Sequence, residues 1–106
     1  QFQKMKTAYA DKGIPVIVGE YSAMKRAKED KIEGTSELAY PDIDQEMHNK
    51  SRSYWNEVVT REAKNHGCVP FYWETGGDMN RGTGTPKEAY AIEGIMKGAE
   101  AGKYPY

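Results

Sequence analysis

The 106-residue chain has one cysteine, two histidines and no apolar stretch approaching 20 residues. Each scarcity excludes something. A lone Cys68 forms no intrachain disulfide, so no cystine framework holds this chain. Cys68 also falls in a predicted strand, where a small buried thiol is the simpler reading than a reactive one. His48 and His66 lie eighteen residues apart with no cysteine or aspartate at ligand spacing, so no metal site is expected. His66 at a predicted helix end reads as a dipole partner. Without a long apolar run, no helix spans a bilayer. With 15 basic and 16 acidic side chains, the net charge of −1 points to neither nucleic acid nor an anionic membrane as partner. The glycine-rich tract 76–84 lacks both a phosphate-loop Lys-Ser/Thr pair and a GxGxxG pattern. No cofactor is expected.

Hydrophobic content of 38% and charged content of 29% describe one small globular segment rather than two domains. Gln1 stands where a translation product has methionine, and no basic-apolar leader is present, which suggests a piece of a longer protein.

The chain is organised around Gly13-Ile14-Pro15-Val16-Ile17-Val18-Gly19-Glu20-Tyr21. An uninterrupted apolar run of this length reads as a strand covered on both faces, over 14–19, as in parallel sheets. Upstream, Phe2, Met5 and Tyr9 recur at helical spacing over about 1–11, and Gly13 supplies the stop. Residues 22–43 form a long charged loop containing Met24, Lys25 and Tyr40, of the kind that is usually functional or mobile. From Asp44 to about Asn65, Met47, Ser51, Tyr54, Trp55, Val58, Val59 and Ala63 make an amphipathic stripe that Gly67 ends. A second apolar run, Cys68-Val69-Pro70-Phe71-Tyr72-Trp73-Glu74, again ends in a carboxylate. Beyond the glycine-rich loop, Thr85-Pro86-Lys87-Glu88 reads as a helix start, with Ala89, Ile92, Ile95, Met96 and Ala99 as the buried face and Gly102 as the end.

Gly13 and Gly67 are 54 positions apart, as are Glu20 and Glu74. Two αβ units in register predict neighbouring parallel strands with both carboxylates at one edge. Two strands cannot cover their own faces. The order α-β-α-β-α therefore predicts an α/β fold in which residues 1–106 are a single segment, the last quarter to third of a (β/α)8 TIM barrel, incomplete on its own.

A carboxylate at the C-terminal end of a buried barrel strand stands where such folds place their chemistry. Glu20 is thus a candidate nucleophile or acid/base group, against a plain strand-end glutamate paired with Lys25 or Arg26. Glu74 has two readings: partner of Glu20 in a two-carboxylate site, or a residue that binds or fixes its loop. Trp73 alternates with Tyr72 along its strand, so its indole either stacks on a sugar or fills the core. Tyr21, Tyr72 and Asn80 are candidate donors beside Glu20.

Gly13 through Tyr21 closely resembles the seventh-strand signature of glycoside hydrolase family 5, the cellulase family A enzymes. Phe71-Tyr72-Trp73-Glu74 looks like the eighth strand of that family. The pattern Ser51-Arg52-Ser53-Tyr54-Trp55, with Glu62 through Gly67, is similar to the helix between them. The resemblance covers the sixth through eighth helices. It implies that Glu20 is the nucleophile of a retaining endo-β-1,4-glucanase, with Trp73 lining the cleavage subsite. Tyr21, Glu74 and Asn80 become candidate substrate-binding residues. It also implies a secreted, periplasmic or cell-surface location and a β-glucan substrate, with no metal, nucleic acid or membrane partner. The family's acid/base glutamate and its conserved His, Tyr and Arg come from earlier strands that are not in this sequence. The chain alone is therefore expected to be inactive without the N-terminal barrel portion, from the same parent or a separate chain. A non-catalytic carbohydrate-binding segment using Trp73, Tyr21 and Tyr40, a self-associating half-barrel, and a mannan- or xylan-active relative stand as alternatives.

Overall fold

A computed structural model describes all 106 residues. It contains helix α1 (Phe2–Ala8) with a 3₁₀ turn (Ala10–Lys12), strand β1 (Val16–Tyr21), helix α2 (Gln45–Asn65) and strand β2 (Cys68–Tyr72). A short hairpin of β3 (Met79–Asn80) and β4 (Thr85–Pro86) follows, then helix α3 (Ala89–Ala101). The predicted helix–strand order holds, with the hairpin inserted where a plain loop was expected.

Local chemistry sets most boundaries. Gly13 and Gly67 take φ of 79° and 72°, the left-handed region that closes a helix ahead of a strand. Asp44 caps α2, its side chain accepting from the Met47 N–H. The predicted cap at Thr85 and first turn at Pro86 do not occur. Those two residues pair with Asn80 and Met79 as β4, and the Lys87 and Glu88 N–H groups donate to the Asp78 carbonyl, so α3 starts only at Ala89.

β1 and β2 pair in parallel, Val16 with Cys68, Ile17 with Val69 and Val18 with Pro70. The next pair is Tyr21 with Tyr72, so β1 holds one residue more than β2 over this span. The bulge falls at Gly19-Glu20. The 54-residue repeat seen in the sequence is therefore not the pairing register, and Glu74 lies beyond the strand rather than opposite Glu20.

One face of the pair meets α2, and α3 packs against α2. The buried residues of α2 are Arg52, Asn56, Thr60 and Ala63; of the predicted stripe only Ala63 is fully buried, and Met47, Tyr54 and Trp55 are exposed. On α3 the buried positions are Ala91, Gly94 and Gly98 instead of Ala89, Ile92, Ile95, Met96 and Ala99. The cause is close approach. A Cβ at Gly94 would lie 2.1 Å from the Ser53 carbonyl oxygen, and one at Gly98 2.3 Å from that of Glu57.

The other face of the sheet is open, with Ile17, Phe71 and Trp73 each more than half exposed, and both outer strand edges are unpaired. The radius of gyration is 16.5 Å, against ~13 Å for a compact domain of this length. This is the geometry of an incomplete (β/α)8 barrel, seen from the side where the remaining strands would stand.

Candidate functional site

Strict alternation from Val16 would send Glu20 to the face of Val16 and Val18, against α2. The extra residue in β1 reverses this. Tyr21 now lies on the α2 side, 8% exposed, while Glu20 projects with Ile17 onto the open face. Re-aiming a side chain is what a bulge does at a strand end. On β2 the alternation is regular, so Val69, Phe71 and Trp73 share the open face with Glu20. Glu20 and Trp73, with Tyr21, Ser22 and Trp55, line one open hollow of about 360 Å³ at the C-terminal edge of the strands.

Glu20 has no cationic neighbour within the chain. Lys25 pairs with Glu88, and the Arg26 guanidinium lies over the Tyr40 ring, 5.6 Å from its centre. Two of the sequence-predicted donors, Tyr21 and Tyr72, are engaged elsewhere too. The Tyr21 hydroxyl lies 2.6 Å from Thr60 Oγ1, which itself donates to the Asn56 carbonyl at 2.7 Å. With that proton used, Tyr21 is the donor, and burial pushes its phenol pKa up. Tyr72 donates to Asp78 at 2.6 Å. Asn80 Oδ1 accepts from the N–H groups of Gly82 and Thr83, at 3.0 and 3.3 Å, within its own turn.

Glu74 is turned into the glycine-rich loop. Its Oε1 accepts the N–H of Gly76 at 2.5 Å, of Asp78 at 2.9 Å and of Met79 at 3.4 Å. Arg81 donates to its Oε2 at 3.4 Å and to its backbone carbonyl at 3.0 Å. These bonds, with the Asp78 N–H first, hold the carboxyl below the usual glutamate range. Of the two readings left open above, these contacts describe a loop-fixing carboxylate.

The largest feature that sequence reasoning missed is Arg52. Its side chain is 5% exposed and that of Asp78 is 7%. Both guanidinium ends grip the Asp78 carboxylate, at 3.1 and 3.0 Å. The Nε–H donates to the Ala23 carbonyl at 2.9 Å, and the remaining two N–H groups reach the hydroxyls of Tyr90 and Tyr72, both at 3.2 Å. All five donors of the guanidinium are used. Burial, with the bond to Asp78, pushes the Tyr72 phenol up to about 12. A signal was present: Arg52, Asn56 and Thr60 recur every four residues, a polar helix face that faces inward.

His48 Nε2 accepts the Arg26 N–H at 3.0 Å, and His66 Nδ1 donates to the Glu62 carbonyl in the last turn of α2. No three His, Cys, Asp or Glu side chains converge to hold a metal ion.

No family model matches the chain. Curated relatives do. A xyloglucan-specific endo-β-1,4-glucanase of Bacteroides ovatus is 33% identical over 93 residues, 85% of this chain and 16% of that protein. Endoglucanase A of Paenibacillus barcinonensis is 25% identical over 107 residues, 94% of this chain and 23% of that protein. Among solved structures, a xyloglucan-specific β-1,4-glucanase from a ruminal metagenomic library, in complex with XXLG, superposes with a TM-score of 0.79. It is 32% identical and covers 99% of this chain, which spans 27% of it. A Bacteroides ovatus xyloglucanase in complex with an XXXG heptasaccharide gives 0.71 at 30% identity, covering 92% of this chain and 19% of that one. The chain thus spans between a sixth and just over a quarter of the proteins that it matches. All are endoglucanases or xyloglucanases, and both structures are named as family 5 enzymes. The chain belongs to glycoside hydrolase family 5 and folds as a C-terminal part of that family's (β/α)8 barrel.

Proposed function

We propose that residues 1–106 supply the nucleophile and a sugar-stacking surface of a retaining endo-β-1,4-glucanase, completed by the N-terminal strands of the barrel. Glu20 attacks the anomeric carbon, the glycosidic oxygen leaves with a proton from an acid glutamate on the absent strands, and water then releases the glycosyl-enzyme. Trp73 holds the ring being cleaved against its indole. Tyr21 and Glu74 support the site from behind, through α2 and through the glycine-rich loop. Asn80 shapes the turn beside it.

The observation that supports this reading is the bulge at Gly19-Glu20, which brings Glu20 onto the open face beside Trp73 at one strand edge. Glu20 carries no ion pair inside the chain, so the donors to its carboxylate come from the missing strands in this reading. A β-1,4-glucan, and xyloglucan in particular, is the proposed substrate, since several relatives are named for that polysaccharide. A polymer of that kind does not enter cells, so action outside the cytoplasm is part of the proposal.

The test is Glu20→Gln in the complete barrel that carries this segment, with reducing-end release followed on xyloglucan, unbranched β-1,4-glucan and mannan. Turnover should vanish while the fold and glucan retention on affinity gels persist, and the parent should release products of retained anomeric configuration. Near-parental turnover would remove Glu20 from the nucleophile role. Inverted products would exclude the covalent intermediate.

A further inference from the structure

Arg52 joins the two segments that carry Glu20 and Trp73. Its Nε–H holds the carbonyl of Ala23, three residues beyond Glu20. Its two terminal nitrogens hold Asp78, five residues beyond Trp73, and the hydroxyl of Tyr72, the residue just before Trp73. Tyr72 closes the triangle by donating to Asp78 Oδ2. Asp78 is in turn fixed by its backbone, its N–H to Glu74 and its carbonyl to Lys87 and Glu88. The guanidinium sits on α2, the longest helix, so both segments are referred to one rigid element.

We propose that Arg52 is a positioning residue: its buried fork on Asp78, Tyr72 and Ala23 sets the placement of Glu20 relative to Trp73, and so the approach of the carboxylate to a glucan ring. The proposal rests on the reading of Glu20 as nucleophile and Trp73 as stacking surface, and it adds what holds them in register. Three features support it over a purely structural ion pair. The partners are the flanks of the two site residues and not distant surface groups. Every guanidinium N–H is used, so the orientation is fixed in three dimensions, which an ammonium cannot reproduce. The pair is nearly dry, so no water substitutes for a lost bond.

The experiment uses the complete barrel and an aryl β-cellobioside with a poorly activated leaving group, chosen so that no burst of aryl release precedes the steady state. Formation of the glycosyl-enzyme then limits turnover and kcat follows attack by Glu20. Arg52→Lys keeps the charge and loses the fork. Its kcat should fall about tenfold or more at a temperature where circular dichroism shows it folded, because displacements near 1 Å at a reacting pair have effects of that order. The comparator is Gly98→Ala, which weakens α2–α3 packing without touching either site residue. A merely structural Arg52 would lower Tm as Gly98→Ala does and keep kcat within about twofold of the parent, and that result overturns the proposal. If Arg52→Lys does not fold, Tyr72→Phe removes one hydroxyl and no charge. It should lower kcat about threefold, and a parental kcat there is equally fatal. Glu20→Gln, run alongside, separates the two claims. Inactive Glu20→Gln with unimpaired Arg52→Lys removes the positioning role alone, whereas active Glu20→Gln removes the nucleophile reading and the positioning role that rests on it.

Discussion

The backbone N–H of Trp73 donates to the carbonyl oxygen of Tyr21 at 2.9 Å, the rung that follows the Tyr21–Tyr72 pair. The indole is thereby placed by the parallel ladder itself, next to the residue that follows Glu20, and not by a loop. Since the rung is main chain, it survives loss of the side chain. Trp73→Ala in the complete barrel should therefore still fold, as circular dichroism would show, because that main-chain rung remains. KM for oligosaccharides should rise about tenfold or more, the equivalent of about 1.4 kcal/mol of stacking, with Trp73→Phe intermediate. A parental KM in Trp73→Ala would mean that the indole does not touch the sugar.

Tyr21 makes the opposite case. It follows Glu20 directly and looks like its donor in the sequence, yet the bulge turns it toward α2, where its hydroxyl meets Thr60. Tyr21→Phe should reduce stability by about 0.5–1.5 kcal/mol, the net worth of a buried neutral hydrogen bond. The kcat of the folded enzyme should stay parental. Urea unfolding and initial rates on the same samples separate the two effects, and a large loss of kcat would place the phenol in the chemistry after all.

The loop contacts of Glu74 carry a pH dependence with a defined sign. Its carboxyl is held below the ordinary value by backbone donors, so the folded loop favours the ionised form. That stabilisation is fully present above the unfolded-state value, about 4.3, and is lost as pH falls through the lower folded value. Protection of the Gly76 and Asp78 amides from hydrogen exchange, corrected for intrinsic rates, should be constant from about pH 6 to 5 and decline toward about pH 3. Glu74→Gln should lower that protection at neutral pH and flatten its dependence. Unchanged protection in the variant would show that the loop stands without this carboxylate.

How much of this was legible in the sequence follows from the kind of signal each feature carries. The strands, the long helix and the glycine stops were readable, because an apolar run, helical spacing and a left-handed Gly13 or Gly67 are local. The placement of Glu20 and Trp73 at one strand edge was readable for the same reason, each standing at the end of such a run. The pairing register was not readable, because the 54-residue repeat is a property of the chain and the Gly19-Glu20 bulge a property of two strands in contact. The inward faces of α2 and α3 were misassigned on one assumption, that apolar side chains are the buried ones. In this segment Arg52, Asn56 and Thr60 point inward because hydroxyls, a carboxylate and backbone carbonyls meet them there. Gly94 and Gly98 point inward because the helix backbones touch. Ile17, Phe71 and Val69 remain uncovered because their partners belong to the remaining strands of the barrel.

The contact between α2 and α3 gives the last prediction. A Cβ on Gly98 would stand 2.3 Å from the Glu57 carbonyl oxygen and 2.8 Å from Thr60 Cβ. Neither is the tip of a flexible side chain, so the overlap is relieved only by moving one helix off the other. Overpacking of this kind costs about 1–3 kcal/mol. Alanine returns up to about 1 kcal/mol of helix propensity. Gly98→Ala should therefore lower stability by roughly 1–2 kcal/mol net, read as a fall in the thermal or urea midpoint of the complete barrel. Gly77→Ala is the matched control, since no atom lies within 4 Å of its added methyl and its φ is not positive, and it should be close to neutral. Equal midpoints for the two variants would mean that α3 does not approach α2 as closely as its glycines allow.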